Sequence, residues 1–600
     1  MDKQVEGAAS RPDAVPVRGG VATWACMAGF PPAVIFPFTP AERYGSRSIY
    51  EFQMLMYRPL YWYGRRGSLE MDFDLSLADE PVWEPDGRTC TVRIKPWKWS
   101  NGETVCADNV MLFMHMLRRK ATRFGLYVAG YFPDNLVSFE KVADDAVRFT
   151  FDKVYSKRWV LFNQLTMITP FPKAWDRTAD GPADASNDPD QVEAVYDYLM
   201  AENGNPVAEG NEHRTRWADS PIWSVVNGPW RLKSFTLDAA VTFVPNEHYS
   251  GPNPAHLDEF RQVPTDTDEA QFEVMRERGP RGEDSIQVGF LPLGAGEQPD
   301  GDPTVGGPNP LGAGYTLHPQ VTFAINFMAL NFSNPTISGH LIRQPYLRQA
   351  LQSCIDQEYG EREIYRGYGW AQTGPVPILP RNEFVAPDLR TGYGRWPFNL
   401  ERARALLADN GWDVSRTPAV CVRPGTGPGE AGEGIPAGTE LSLSLRYADG
   451  RPALARLMKQ FAADAAKAGI ELRLEAVIGS VLVAEDGPGP GRPWDISNWG
   501  GGWQYNLPTG ENLFQSDATA NFSNYRDARA DELIARTVTT DDLAALYEYQ
   551  EYLAEQVPVL LLPTTPRRVF EVASHLRGFA PVNPYGLQNP ENWYYVEDAG

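Results

Sequence analysis

The chain has 600 residues, which is too long for a single hydrophobic core and predicts two or three domains. Its 55 Lys and Arg residues face 77 Asp and Glu residues, a formal net charge of -22 that repels phosphate backbones and anionic lipid headgroups. The charge therefore argues against a nucleic-acid-binding protein. No run reaches the roughly 18 apolar residues of a membrane helix, because prolines interrupt the most apolar stretch at 30–38.

Composition indicates the nature of the N-terminal segment and the position of three loops. Residues 1–20 contain no apolar core of a secretory signal, so the chain is either cytoplasmic or the mature part of a protein whose signal was removed. Three stretches rich in Gly and Pro or in small polar residues, 179–190, 279–314 and 424–438, are predicted as exposed loops.

Metal and cofactor sites have no support in the sequence. Five cysteines leave at least one thiol unpaired, no CxxC motif occurs, and the seven histidines lack metal-ligand spacing. Cys90 and Cys106 flank one short turn, so they either form a disulfide or are two ordinary buried thiols. We expect neither a metal nor a cofactor.

The first strongly patterned segment is 89–113. Apolar residues alternate over 90–94, which predicts a strand with one buried face. Ser-Asn-Gly at 100–102 predicts a turn, and Asp108 is the expected N-cap of a helix whose apolar residues recur at helical spacing over 110–117. The segment therefore predicts a strand, a tight turn and a helix start.

A later region predicts alternating strands and helices. Residues 441–474 contain two strands with period-two apolar residues around a helix that Gly469 ends, which is a βαβ unit with parallel strands. Asn399 is the predicted N-cap of a second amphipathic helix over 400–407, and Gly411 lies beyond its end. This part of the chain is predicted to be α/β.

These segments resemble the landmarks of one known family, in its order, from about residue 17 to about residue 595. The chain resembles the family 5 solute-binding proteins, the extracytoplasmic receptors of ABC importers for oligopeptides, dipeptides and nickel complexes. The likeness is carried by TCTVRIKPWKWSNGETVCADNVMLF at 89–113, with VRGGVATW at 17–24, NGPWRLKSF at 227–235, LRQALQSCIDQEYGEREIYRG at 347–367 and PVLLLP at 558–563.

The resemblance implies an α/β protein with the periplasmic-binding-protein type II fold and an extra inserted lobe (cluster C type), with the ligand cleft between lobes. Residues 1–16 would form a flexible N-terminal spacer. The implied lobes are a first lobe at 17–60, 223–320 and 556–600, an inserted lobe at 61–222, and a second ligand-binding lobe at 321–555. Hinge crossings would fall near residues 320 and 555.

The predicted ligand contacts centre on WDISNWGGGWQYNLPTGE at 494–511. Three consecutive glycines let a ligand approach the backbone closely, and the neighbouring aromatic residues offer apolar walls with polar tips. In the oligopeptide receptors that the chain resembles, the equivalent strand binds the peptide main chain. A glycine turn packed under core tryptophans is the alternative interpretation. The candidate residues are Trp499, Gly500, Gly501, Gly502, Trp503, Gln504 and Tyr505.

One position departs from the family pattern. Many peptide receptors of this family have an Asp that pairs with the peptide ammonium, and the matching residue here is the neutral Gln504. Glu511 is our candidate replacement, Asp517 is a second one, and a ligand without a free amine there is the other possibility. By the same resemblance, Phe30 would face the cleft from the first lobe and Tyr131 would overhang the ligand from the inserted lobe.

The resemblance implies a binding protein that captures a peptide or peptide-like solute and delivers it to the transmembrane subunits of an ABC permease. It favours an extracytoplasmic, lipid-anchored monomer. A receptor for a nonpeptide solute, such as an oligosaccharide or a specialised-metabolite precursor, is the first alternative, and an enzyme built on this fold is the second. The sequence has no GxSxG, HExxH or GxxxxGK[ST] motif, so we predict no enzymatic activity.

Overall fold

The structure is a computed structural model that describes residues 16–27, 31–40, 43–204, 210–282, 284–292, 295–296, 298, 302–487, 489, 491–518 and 520–596. The chain divides into two compact units. Unit 1 comprises Met1–Gly296, Thr304–Val321 and Arg567–Gly600. Unit 2 comprises Glu297–Pro303 and Thr322–Pro566.

The strands fall into three groups along the chain. The first group, in unit 1, is β1 (Pro16–Val17), β2 (Val21–Met27), β3 (Trp62–Tyr63), β4 (Met71–Asp72), β5 (Val82–Trp83), β6 (Thr89–Arg93), β7 (Leu136–Ala143), β8 (Ala146–Phe151), β9 (Arg177–Thr178), β10 (Gly181–Pro182), β11 (Trp230–Phe235), β12 (Val241–Pro245), β13 (Glu259–Thr265), β14 (Val288–Phe290) and β15 (Tyr315–Pro319). The second group, in unit 2, is β16 (Ala324–Leu330), β17 (Trp412–Asp413), β18 (Val420–Cys421), β19 (Ser442–Ala448), β20 (Glu471–Val477), β21 (Ile496–Asn498), β22 (Gly502–Gln504) and β23 (Val559–Leu561). The third group returns to unit 1 and is β24 (Val569–Ala573), β25 (Leu576–Arg577) and β26 (Tyr594–Val596).

The longer α-helices are fewer than the strands, and three-residue helical turns connect many of the elements. Unit 1 contains α1 (Ala107–Lys120), α2 (Val192–Asn203) and α3 (Asp268–Arg278). Unit 2 contains α4 (Ile337–Ile342), α5 (Pro345–Gln352), α6 (Leu400–Asp409), α7 (Pro452–Ala468), α8 (Gly479–Glu485), α9 (Ala528–Thr537) and α10 (Leu543–Gln556).

Unit 1 is built on a seven-stranded mixed sheet of order β11-β12-β13-β2-β14-β24-β15. Strands β2, β13 and β14 run parallel, and β24 pairs antiparallel with β14. Trp24 is fully buried on β2, with its ring centroid 6.0 Å from that of Phe260 and 6.2 Å from that of Phe570. The alternating apolar residues of these strands therefore meet in one aromatic core.

The predicted strand, turn and helix at 89–113 are confirmed within unit 1. Strand β6 pairs with β5 and β8 in an antiparallel four-stranded sheet, and α1 follows the turn. The N-cap prediction was wrong, because the helix begins two residues earlier with Cys106 as N-cap. The side chain of Asn109, the third residue of the helix, accepts a hydrogen bond from the Cys106 N–H at 2.9 Å. The N–H group of the N-cap residue is therefore paired. Asp108 lies in the first turn, where its charge favours the helix dipole.

Unit 2 contains a six-stranded sheet of order β20-β19-β21-β16-β22, with β23 also paired to β16. The predicted βαβ unit is confirmed, since β19 and β20 are parallel neighbours joined by α7, and Gly469 ends α7 with φ at +99°. The predicted helix after Asn399 is confirmed as α6, with the Asn399 side chain accepting from the Arg402 N–H at 2.9 Å.

Two sequence-based boundaries differ from the structure. Strand β23 pairs with β16, so residues up to Pro566 belong to unit 2, whereas the sequence assigned 556–566 to the first lobe. The stretch 279–314, predicted as a loop, contains the fully buried strand β14. The division of unit 1 into a first and an inserted lobe stays a prediction.

The five cysteines are free thiols, so the disulfide between Cys90 and Cys106 does not form in this structure. Cys90 is buried on β6, and burial raises the pKa of its thiol to about 12. A thiol that stays protonated at neutral pH is a packing group rather than a nucleophile.

Candidate functional site

The glycine-rich segment of unit 2 interrupts a strand. β21 pairs with β16 through Ala329 and Ser497, and β22 pairs with the same strand through Asn326 and Gly502. Between these pairs the partner strand advances three residues and the glycine-rich strand five, so the chain bulges outward over 499–501. The Asn498 side chain donates to the carbonyl of Phe327 at 2.8 Å and thereby bonds the strand opposite the bulge.

After the bulge, β22 pairs with β16 along one edge, and its other edge has no strand partner among the described residues. Strand β19 runs parallel to β21 and ends at Ala448, so in the part of the chain that the structure describes no strand continues beside β22. The carboxyl ends of parallel strands are the usual place for ligands in open α/β sheets. A short strand with a free edge there offers main-chain donors and acceptors to an extended ligand.

The three glycines have different structural roles. A Cβ at Gly502 would lie 1.7 Å from the carbonyl oxygen of Ile325, so only glycine lets β22 approach β16. Gly500 has φ at +82°, and its carbonyl accepts a hydrogen bond from the guanidinium of Arg451. A Cβ at Gly501 would have its nearest neighbour at 3.8 Å, on the Trp499 ring. Gly501 is therefore the position where the backbone faces open space.

Two aromatic residues of the segment, Trp499 and Trp503, are partly exposed. The Trp499 ring lies 5.5 Å from the Phe327 ring and 4.6 Å from the Phe522 ring, centroid to centroid, and the side chain remains half-buried. Trp503 lies on β22 opposite the buried Ile325 and is also half-buried. Both indoles retain area for a ligand, as a binding wall requires, and the Trp499 indole is held by its two ring contacts.

Other predicted residues of this segment are more deeply placed. Tyr505 is 3% exposed and Glu511 is 2% exposed, and Thr509 donates a hydrogen bond to the Glu511 carboxylate. Burial, followed by the nearby charge of Glu511, raises the pKa of Tyr505 far above its ordinary value. Gln504 is half-buried at the end of β22. The amine-binding role of Glu511 stays a prediction, and it requires a ligand amine to reach a carboxylate that is 2% exposed.

The remaining predicted contacts are scattered. Tyr131 is 9% exposed in unit 1, with its ring centroid 5.4 Å from that of Trp159. Phe30 lies outside the described residues. Asp517 is exposed in unit 2 and forms a 3.0 Å ion pair with Arg526. The structure thus brings together the residues from Trp499 to Tyr505.

Unit 1 carries an arginine cluster that the sequence analysis missed. The Glu51 carboxylate, 1% exposed, lies 2.6 Å from the guanidinium of Arg567, 3.6 Å from that of Arg568 and 3.7 Å from that of Arg47. Arg47 also donates to the Gln262 side chain at 2.5 Å. The adjacent arginines at 567 and 568 were a visible signal, but nothing in the sequence connected them with Arg47.

The arginine cluster of Arg47, Arg567 and Arg568 around Glu51 has more positive than negative charge, with three guanidinium groups on one carboxylate. Burial alone would raise the pKa of Glu51, but the three arginines hold it below its ordinary value. The Arg47 Nε, Arg567 Nη1 and Arg568 Nη1 atoms are buried with no hydrogen-bond partner in the described residues. Such donors favour an anionic group nearby.

Metal ligation and membrane insertion find no support in the described part of the chain. It contains no group of three or more His, Cys, Asp or Glu side chains placed to hold a metal ion. No helix within the described ranges combines the length and apolar character of a membrane span.

Comparison with known proteins identifies the class of molecule. The family model described as bacterial extracellular solute-binding proteins, family 5 Middle, matches residues 73–524, about three quarters of the chain. The chain belongs to this family, and the family resemblance and type II fold predicted from the sequence are confirmed. The family consists of extracellular solute-binding proteins, not of enzymes.

Solved structures share the fold over nearly the whole chain. The oligopeptide-binding protein AppA from Bacillus subtilis, solved with a nonapeptide, is 18% identical, with a TM-score of 0.68 over 97% of this chain and 100% of that one. The periplasmic EDTA-binding protein EppA is 18% identical, with a TM-score of 0.73 over 99% of this chain and 100% of that one.

One curated relative matches part of the sequence. The nickel-binding protein NikA from Staphylococcus aureus is 23% identical over 207 residues, which are 33% of this chain and 34% of that protein. The match thus spans about a third of the relative's length.

Proposed function

We propose that the protein captures peptides or peptide-like solutes outside the cytoplasm and delivers them to the transmembrane subunits of an ABC importer. It acts as a monomer without enzymatic activity and is held at the membrane by a lipid anchor. Family membership and the fold shared with an oligopeptide-binding protein support this proposal.

The observation that carries the peptide assignment is the bulge in unit 2. One edge of β22 pairs with β16. The opposite edge has no strand neighbour in the described sheet. An extended peptide that added to this edge would bond through its main chain, so recognition would tolerate many side chains. Trp499 and Trp503 would pack on the peptide side chains, and Gly501 would let the peptide backbone approach.

Ligand-induced stabilisation tests the proposal. A mixture of unmodified tripeptides and nonapeptides should raise Tm, since a ligand at one hundred times its Kd stabilises by about 2.7 kcal/mol. Isothermal titration with single peptides that raise Tm should give saturable binding, with N-acetylated copies of the same peptides measuring the contribution of the free amine. If no peptide of either length shifts Tm or titrates, the peptide assignment is wrong.

A second candidate is a receptor for an anionic nonpeptide solute, and the arginine cluster favours it. Three guanidinium groups around one carboxylate leave an excess of positive charge, which suits a carboxylate-rich solute better than an uncharged one. Citrate and EDTA, both polycarboxylate anions, serve as probes in the same thermal assay. Stabilisation by these probes, with none by peptides, would replace the first proposal with the second.

A further inference from the structure

A cavity lies within unit 1. It has a volume of about 470 Å³, in the size range that suits small-molecule sites. Residues of the short β3–β4 hairpin line one side, and the C-terminal loops between β25 and β26 line another. None of its lining residues belongs to the glycine-rich segment or to the arginine cluster.

The frame of the cavity is set by close backbone approaches. Gly64 and Gly578 both have positive φ, and a Cβ at Gly578 would lie 1.8 Å from the carbonyl oxygen of Asn592. A Cβ at Gly64 would lie 2.1 Å from the side chain of Asn583, which donates to the carbonyl of Tyr63 at 3.0 Å. Arg66 at the rim has φ at +47°, which is uncommon outside glycine. Glycine is therefore needed at 64 and 578 for these segments to approach each other around the cavity.

Two buried polar groups of the cavity lack full sets of partners. Asp72 is 9% exposed on β4, and its carboxylate accepts one hydrogen bond, from the Leu75 N–H at 3.2 Å, with no ion pair in the described structure. Gln588 is 4% exposed, and its side-chain amide has no hydrogen-bond partner within the described residues. Neither group is among the polar side-chain atoms that the described structure seals from solvent without a partner, so both reach the cavity and can bond an occupant that brings donors and an acceptor.

The remaining lining defines the chemistry of that occupant. Asn253 and Asn592 add side-chain amides that both donate and accept. Arg65 and Asp74, both exposed at the rim, pair with each other at 3.8 Å, and the Lys95 ammonium donates to backbone carbonyls of the same unit. With Arg66 the lining has three cations against the two carboxylates of Asp72 and Asp74, a small net charge that favours a neutral solute. Hydroxyl groups combine donor and acceptor in one atom and complement amides and a carboxylate.

We propose that this cavity binds a small neutral solute rich in hydroxyl groups, of monosaccharide to disaccharide size. Asp72 accepts from its hydroxyls, Gln588 both donates and accepts, and Trp62 and Trp593 are among the lining residues, each 2% exposed. The site is separate from the peptide-binding segment proposed above and does not depend on that function.

Calorimetric titration with glucose, sucrose, maltose and trehalose tests the site, with each variant compared with the unchanged protein. Binding of at least one probe with a Kd of about 1 mM or tighter is expected. Asp72→Asn and Gln588→Leu should each weaken that probe at least tenfold. Asp144→Asn makes the same exchange at a carboxylate that is 97% exposed outside the cavity, and it should leave binding unchanged.

Asn253→Trp is the second line of test, because Asn253 is exposed and its replacement fills the cavity without disturbing a buried contact. It should abolish sugar binding while peptide titrations and Tm stay as in the unchanged protein. No saturable binding of any of the four sugars would overturn the proposal. Sugar binding that survives Asp72→Asn, Gln588→Leu and Asn253→Trp, or that is lost with Gly501→Ala, would place the sugar elsewhere and overturn it as well.

Discussion

Exchange of neighbouring glycines for alanine separates a structural from a binding role in the bulge. At Gly502 the new methyl carbon would lie 1.7 Å from the Ile325 carbonyl oxygen and 2.9 Å from the Asn326 Cα. These are backbone atoms of the central strand β16, so the clash can be relieved only if β22 moves away from β16. Overpacking of this kind costs about 1–3 kcal/mol.

At Gly501 the same methyl has no atom nearer than 3.8 Å, and its φ is not in the left-handed region. Gly501→Ala should therefore fold normally and lose affinity only if a ligand occupies the space that the methyl takes. Disturbing one or two main-chain hydrogen bonds at about 1 kcal/mol each corresponds to roughly a tenfold loss of affinity.

The assay pairs thermal unfolding of the free protein with titration of a peptide that raises Tm. Gly502→Ala should lower Tm by about 2 °C, because its cost of about 1–3 kcal/mol is divided by the unfolding entropy of 600 residues, and Gly501→Ala should leave Tm unchanged. Gly501→Ala should weaken the peptide about tenfold. Unchanged peptide affinity in Gly501→Ala would show that the ligand does not approach this segment. An unchanged Tm in Gly502→Ala would refute the close approach of the strands.

Three further substitutions extend the test. Trp499→Ala should cost about 2 kcal/mol of peptide binding, measured by titration, and unchanged affinity would remove this ring from the site. Arg567→Gln should weaken citrate more than an uncharged solute in the same titration, since it removes a cation from the arginine cluster; equal effects on both would contradict an anion-binding role. Burial raises the pKa of Glu571 to about 7, so relative to the unfolded chain its ionisation lowers stability as pH rises from about 4.5 to 7. Glu571→Gln should abolish that loss, about 3 kcal/mol, in chemical unfolding at pH 8 against pH 5, and an undiminished loss would assign it to other groups.

Local patterns in the sequence predicted much of the fold. Period-two and helical spacing located β6, α1 and the β19–α7–β20 unit because burial of one face fixes the periodicity. The N-cap of α1 was misplaced because Cys106 is not a typical cap residue, and the side chain of Asn109 accepts the hydrogen bond from the Cys106 N–H instead. A short buried strand such as β14 within a Gly- and Pro-rich stretch has no pattern long enough to detect.

The candidate site was predictable only in part. Three glycines in a row indicated a close approach, but their different roles depend on β16, which lies more than 170 positions earlier in the chain. The arginine cluster joins Glu51 with Arg567 across 516 positions, and no local pattern carries such a contact. The exposure of each residue was not predictable either. Glu511 is buried whereas the indoles of Trp499 and Trp503 are half-buried, although all three lie within one short stretch.

A crystal structure of the protein with a peptide that raises its Tm tests the central claim most directly. We predict peptide density alongside β22, with main-chain hydrogen bonds to the segment from Gly501 to Gln504 and side chains against Trp499 or Trp503. A bound peptide that makes no contact with this segment would contradict the account.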